Sequence, residues 1–134
     1  MDVELSAAER RLVEAARDVG GRAYAPASHF AVGCAVLTAG GATYTGCNVE
    51  NASYGLTICA ERAAIVAAVA AEGPRARIVA VAVHADTPSC SPCGACRQVI
   101  AELGPDAVVV YRRDGRFVRR TIAELLPDAF TFPR

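Results

Sequence analysis

Lysine is absent from this chain: all 14 of its basic side chains are arginine, which reads as coding bias and carries no function. Net charge is absent too, because 14 acidic residues balance the 14 arginines. Nothing then argues for a general attraction to nucleic acid or anionic lipid, and the expected partners are small or specific. No long hydrophobic run is present. The longest, "AAIVAAVAA", is too short to span a bilayer, and the opening "MDVELSAAERR" mixes charges of both signs without the apolar core of a signal peptide. A cytoplasmic protein with no membrane partner is expected. What the chain does have is 134 residues with 53% hydrophobic side chains, enough to bury a core without disulfide or metal staples. One domain over residues 1–134 is the expectation.

Six cysteines stand out: Cys34, Cys47, Cys59, Cys90, Cys93 and Cys96. In a reducing compartment such a set points to metal or catalysis more than to disulfides. The patterning places them. Ser6 followed by Glu9 fits a capping box, and Leu12, Val13, Ala16 and Val19 recur at helical spacing, so a helix is expected over about residues 7 to 19. "FAVGCAVLT" and "ATYTGCNVE" read as a hairpin, and "CAERAAIVAAVAAEG" as a buried helix. "RIVAVAVHA" (residues 77–85) and "AVVVYR" are continuous apolar runs of the kind found in strands covered on both faces. "CGACRQVIAELG" reads as a helix, "RDGR" as a turn into "FVRRT", and "TIAELL" as a short last helix. The order α, β, β, α, β, α, β, β, α implies a three-layer α/β fold with helices on both faces of a sheet.

In this reading Cys93 and Cys96 open one helix and Cys59 opens another. Unpaired amides and the dipole at a helix N-terminus favour thiolate, the form that binds zinc. Three protein ligands with an open fourth position mark a catalytic zinc site, and four closed ligands a structural one. Glu61, two residues after Cys59, would stand beside such a metal as a proton carrier. Three thiolates leave a negative centre that a nearby cation would offset, and Arg62 is the candidate.

"CAER" followed by "PCGACRQ" resembles the zinc-dependent cytidine deaminases and matches the Cys/His-x-Glu…Pro-Cys-x-x-Cys pattern of zinc deaminases. "YAPASHFAVG", "GCNVENASYG", "TICAERAAI", "SPCGACRQVIAELG" and "ELLPDAF" follow in the order found in the small, homotetrameric, three-cysteine branch. The resemblance implies a three-layer α-β-α fold around a mixed five-stranded sheet. It implies that Cys59, Cys93 and Cys96 bind Zn²⁺ and that Glu61 shuttles protons: water attacks C4 of the pyrimidine while Glu61 protonates N3 and later helps ammonia leave. Cytidine and deoxycytidine would give uridine and deoxyuridine, as in pyrimidine salvage. By the same resemblance Asn48 and Glu50 bond the sugar hydroxyl, the Ala60 amide meets the base carbonyl, and Phe30 packs on the nucleoside. Phe130 would reach into a neighbouring subunit's site in a homotetramer.

Plainer readings stand beside these. Cys93 with Cys96 alone also fits a structural zinc half-site or a redox pair, and Cys90 is the rival fourth ligand of a closed site. Cys34 and Cys47 read as small buried hydrophobes. Asn48 and Glu50 could simply cap or turn the chain, and Arg62 could form a surface pair. His29 and His84 are badly spaced for a metal, and "NAS" at 51–53 means little as a glycosylation site in a cytoplasmic protein. The arginines around "RDGR" (Arg112, Arg113, Arg116, Arg119, Arg120) read as a solvated turn, with no nucleic-acid partner expected. Ala27 and Cys34 depart from the family, which usually has an aromatic residue and alanine there. The neighbouring chemistry, deamination of blasticidin S, goes with incomplete forms of the "NVEN" block, which is whole here.

Overall fold

Ser6 opens α1 (Ala7–Gly20) with both halves of its capping box in place: Glu9 N donates to Ser6 Oγ at 3.1 Å and Ser6 N to Glu9 Oε1 at 2.8 Å. The helix belongs to a computed structural model that describes residues 3–133. A hairpin of β1 (Val32–Thr38) and β2 (Thr43–Cys47) follows, then α2 (Ala60–Glu72), β3 (Ile78–Ala85), α3 (Gly94–Leu103), β4 (Val108–Arg113), β5 (Arg116–Thr121) and α4 (Ile122–Leu125). The strands lie in the order β2-β1-β3-β4-β5. Only β3 and β4 run parallel, with Val81 opposite Val109, and α3 makes the crossover that a parallel pair requires. The sheet is therefore mixed, as expected. β4 turns into β5 through Asp114 (φ 52°) and Gly115 (φ 80°), the two positive values of a type I′ hairpin.

Both faces of the sheet are covered, and the central strands β1, β3 and β4 bury consecutive residues, hence side chains on both sides. Leu12, Val13 and Ala16 of α1 pack on Ala35, Ala80, Ala82 and Val110. On the other face Ala60, Ala64, Ile65 and Ala68 of α2, with Ile100 of α3 and Ile122 of α4, pack on Val36, Val81, Val83 and Val109. Small residues let α2 lie close to β2. A Cβ on Gly46 would fall 2.4 Å from Ala64 N and 2.7 Å from Ala60 O, so only glycine permits this approach. The start of α2 is thereby fixed against the sheet, and with it Cys59 and Glu61.

Two short 3₁₀ turns, Tyr54–Leu56 and Gly73–Arg75, were not read from the sequence, because one turn of helix shows no periodicity. Cys34 is buried as expected, but Cys47 is only half-buried, since β2 is an edge strand. The arginine group does not form one solvated turn. Arg119 points back to α1, where its Nε donates to Glu9 Oε2 at 2.6 Å. Among the described residues, no helix is long and apolar enough to cross a membrane.

Candidate metal centre

Two helix starts meet at one spot. Cys59 is the N-cap of α2 and Cys93 the N-cap of α3, while Cys96 sits in the first turn of α3. Pro92 is buried immediately before the cap, and its carbonyl accepts from Arg97 Nε at 2.8 Å, which holds the turn that presents Cys93. The Sγ atoms of Cys59, Cys93 and Cys96 all lie within 4.8 Å of one another. Among the described residues this is the one His, Cys, Asp and Glu cluster with the spacing of a metal site. Cys90 stands outside it, although its backbone N is tied to Arg112 O at 2.9 Å and its side chain lines the adjoining pocket.

The donor set fits zinc. A tetrahedral ion bound at about 2.3 Å from sulfur sets its sulfurs roughly 3.8 Å apart, and Cys59 Sγ lies 3.8 Å from Cys93 Sγ. Cys96 N donates to Cys93 Sγ at 3.4 Å, and Arg62 Nη2 donates to Cys59 Sγ at 3.4 Å. The Arg62 guanidinium thus turns toward the sulfur cluster, while its Nε is buried with no partner in the protein. Burial and the nearby Glu61 carboxylate push the Cys96 thiol well up, with further contributions from Cys59 and Cys93. For Cys93 burial acts upward as well, but donation from Cys96 and Cys59 outweighs it and the net direction is down. A divalent cation at this point would stabilise all three sulfurs as thiolates.

Glu61, 4% exposed, is the buried carboxyl beside the thiols, in the first turn of α2. Burial raises its pKa above the ordinary carboxylate value; its own backbone N–H, Cys96 and Arg62 act in the opposite direction. A carboxyl held in this way is suited to taking and giving a proton. Beneath it Cys34 is shut away from water, its thiol pushed up by burial first and by Glu61 second.

A pocket of about 190 Å³ opens over the cluster, lined among others by Phe30, Asn48, Ile58, Cys59, Ala60 and Glu61. A larger cleft, about 590 Å³, is lined by Arg97, Arg112, Arg113 and Arg120 and shares Ser91 with the thiol pocket. It contains neither the thiols nor Glu61, so the smaller cavity is the one that adjoins the candidate metal centre. Asn48 is 9% exposed and ties down the start of β1: its Oδ1 accepts from Val32 N and its Nδ2 donates to Phe30 O, each at 2.8 Å, which leaves one amide hydrogen and one lone pair for a ligand. Glu50 is not in the pocket wall. Its carboxylate turns to the 27–28 turn, accepting from Ala27 N at 2.8 Å and Ser28 N at 3.2 Å and from the Ser28 hydroxyl. Phe130 is 78% exposed and does not line this pocket. Ser28 is the residue that sequence reasoning passed over. A serine can turn the chain by bonding an amide two residues on, but nothing local pairs it with a carboxylate 22 positions away.

Residues 6–112 match the family model described as cytidine and deoxycytidylate deaminase zinc-binding region. A cytidine deaminase of Halalkalibacterium halodurans is 53% identical over 112 residues, covering 81% of this chain and 83% of the relative. The crystal structure of cytidine deaminase from Burkholderia pseudomallei superposes with a TM-score of 0.84 at 46% identity, covering 94% of this chain and all of that one. A more distant relative, the blasticidin-S deaminase of Bacillus cereus, is 33% identical over 134 residues, covering 95% of each chain. With three cysteine sulfurs at zinc spacing and a buried glutamate beside them, the chain belongs to the cytidine and deoxycytidylate deaminase zinc-binding family.

Proposed function

We propose that this protein is a zinc-dependent hydrolase that converts cytidine and deoxycytidine, with water, to uridine and deoxyuridine and ammonia. The observation that carries the reading is the arrangement of Cys59, Cys93 and Cys96 under a small pocket whose wall includes the buried Glu61. Zinc on the three sulfurs supplies Lewis acidity that lowers the pKa of water at the open position. Glu61 takes a proton from the attacking water and gives it to N3 as the C4–oxygen bond forms. It then takes the remaining proton of the C4 hydroxyl and gives it to the exocyclic nitrogen, so that the C4–N bond breaks, ammonia leaves and a carbonyl is left at C4. Burial of Glu61 beside the thiols puts the carboxyl where it can pass a proton in either direction. Arg62 offsets the negative charge of the three sulfurs through Cys59. The Ala60 amide, among the first N–H groups of α2 and without a helical acceptor, faces the base carbonyl. Phe30 packs on the nucleoside, and Asn48 and Glu50 read its sugar.

The same reading places the enzyme in the cytoplasm as one domain, acting on free nucleosides, assembled as a homotetramer. Support for assembly comes from Tyr54, Leu56, Val66, Phe130 and Phe132, large apolar side chains left exposed. Phe130 then completes the site of another copy. The test is ammonia release from cytidine by the zinc-loaded protein, with free cytosine and a cytidine oligonucleotide alongside. Turnover of cytidine but not of free cytosine supports the nucleoside reading; zinc-loaded protein inert toward cytidine contradicts it. Blasticidin S in the same assay gives the relative preference between the two chemistries found among the relatives.

A further inference from the structure

The segment before β1 makes a sharp reversal, closed by His29 N donating to Ala25 O at 2.9 Å, in which one hydroxyl joins two further hydrogen bonds. His29 has φ of 57°, a left-handed conformation that a non-glycine residue holds only when its surroundings impose it. On one side of it Ser28 Oγ donates to Glu50 Oε2; on the other the same oxygen accepts from Phe30 N at 3.0 Å. Phe30 is in turn fixed through its carbonyl by Asn48 Nδ2 at 2.8 Å. Glu50 is anchored by its own N–H, which donates to Tyr24 O at 2.8 Å. A single hydroxyl thus links the carboxylate assigned to the sugar with the backbone of the aromatic residue that walls the base pocket.

We propose that Ser28 is the positioning residue of the nucleoside site, holding Glu50 and Phe30 in one register so that the sugar is read only when the base is seated. The inference rests on the reading of Glu50 and Phe30 as substrate contacts. Three donors occupy the carboxylate, two on Oε1 and one on Oε2, which leaves acceptor capacity on Oε2 for a sugar hydroxyl. Donation from Ser28 also keeps Glu50 ionised, with its pKa below the ordinary value against a smaller opposing effect of burial. Without the hydroxyl the carboxylate keeps its two amides but loses the bond on Oε2, and the backbone beyond His29 loses the bond from Phe30 N while keeping that from His29 N to Ala25 O.

The test is Ser28→Ala in the full-length zinc-loaded protein, with Ser28→Thr as the conservative variant. For Ser28→Ala, KM for cytidine should rise about tenfold, the scale of one hydrogen bond to a charged group, with kcat within about threefold. The preference for cytidine over its 3′-deoxy analogue should fall by about the same factor, and Ser28→Thr should restore most of both. ¹³C NMR titration of the glutamate carboxyls should show the Glu50 signal titrating at higher pH in Ser28→Ala than in wild type. Unchanged KM and unchanged sugar discrimination in Ser28→Ala would overturn the proposal while leaving the deaminase reading intact. A fall confined to kcat, or loss of zinc, would also overturn it, since either places Ser28 in the chemistry or the scaffold. If wild-type protein does not turn over cytidine, the deaminase reading fails; the NMR titration then decides alone whether Ser28 controls Glu50, an unmoved signal overturning the proposal.

Discussion

Gly46→Ala probes how the sheet sets the metal centre. The added Cβ would lie 2.4 Å from Ala64 N, 2.7 Å from Ala60 O and 2.8 Å from Ala63 C, all backbone atoms of α2. Ordinary contact begins near 3.4 Å, so α2 must retreat from β2 by roughly 1 Å, since no flexible side chain can yield instead. Overpacking of this kind costs about 1–3 kcal/mol. At about 4 °C per kcal/mol for a chain of this size, the melting temperature should fall by roughly 4–12 °C. The helix that shifts carries Cys59 at its cap and Glu61 in its first turn, while Cys93 and Cys96 stay on α3. Zinc affinity and turnover should therefore fall with stability. Calorimetry and competition for zinc against a chromogenic chelator measure both. A variant that melts within 2 °C of wild type and holds zinc equally well would refute the claim that this close approach positions the site, 2 °C being well under the shift of about 4 °C expected for even 1 kcal/mol.

Glu61→Ala should retain zinc and fold but lose turnover by roughly a hundredfold or more, checked by metal analysis beside the ammonia assay. Cys93→Ala should be isolated without its zinc, whereas Cys90→Ala should keep one ion per chain, because only the first of these thiols is in the cluster. The Glu9–Arg119 pair gives a pH prediction. Arg119 beside it, aided by the Ser6 N–H and opposed by burial, lowers the Glu9 carboxyl from 4.5 to about 2. That change corresponds to at most about 3.4 kcal/mol. Arg119 is 35% exposed, and screening reduces the contribution to about 1–2 kcal/mol. A depressed carboxylate stabilises the fold above its unfolded value and less as pH falls through the folded one. The stability gap between wild type and Arg119→Ala should accordingly be full at pH 7 and close between about pH 4.5 and 2, as chemical denaturation across that range would reveal.

The elements of the fold were legible because each carried a local signal. Ser6 and Glu9 announced α1, the unbroken apolar run of β3 announced a strand covered on both faces, and Asp114-Gly115 announced a hairpin. The meeting of Cys59 with Cys93 and Cys96 was reached through helix starts and the family resemblance, not through spacing alone. What stayed hidden depended on tertiary pairing. Glu9 serves the capping box and also Arg119, 110 positions away. Gly46 looks like an ordinary strand residue until α2 lies on it. Cys47 reads as a core residue but lies on an edge strand, where one side of the backbone has no neighbour. Ser28 belongs to a turn whose partner carboxylate is contributed by the chain beyond the hairpin.

X-ray absorption at the zinc K-edge of the holoenzyme tests the open three-sulfur centre most directly. Three sulfur neighbours near 2.3 Å with one light atom near 2.0 Å are expected, the light atom exchanging for a ligand when a hydrated pyrimidine nucleoside analogue is added. Four sulfur neighbours and no oxygen would make the centre a closed structural site and contradict the proposed hydrolase.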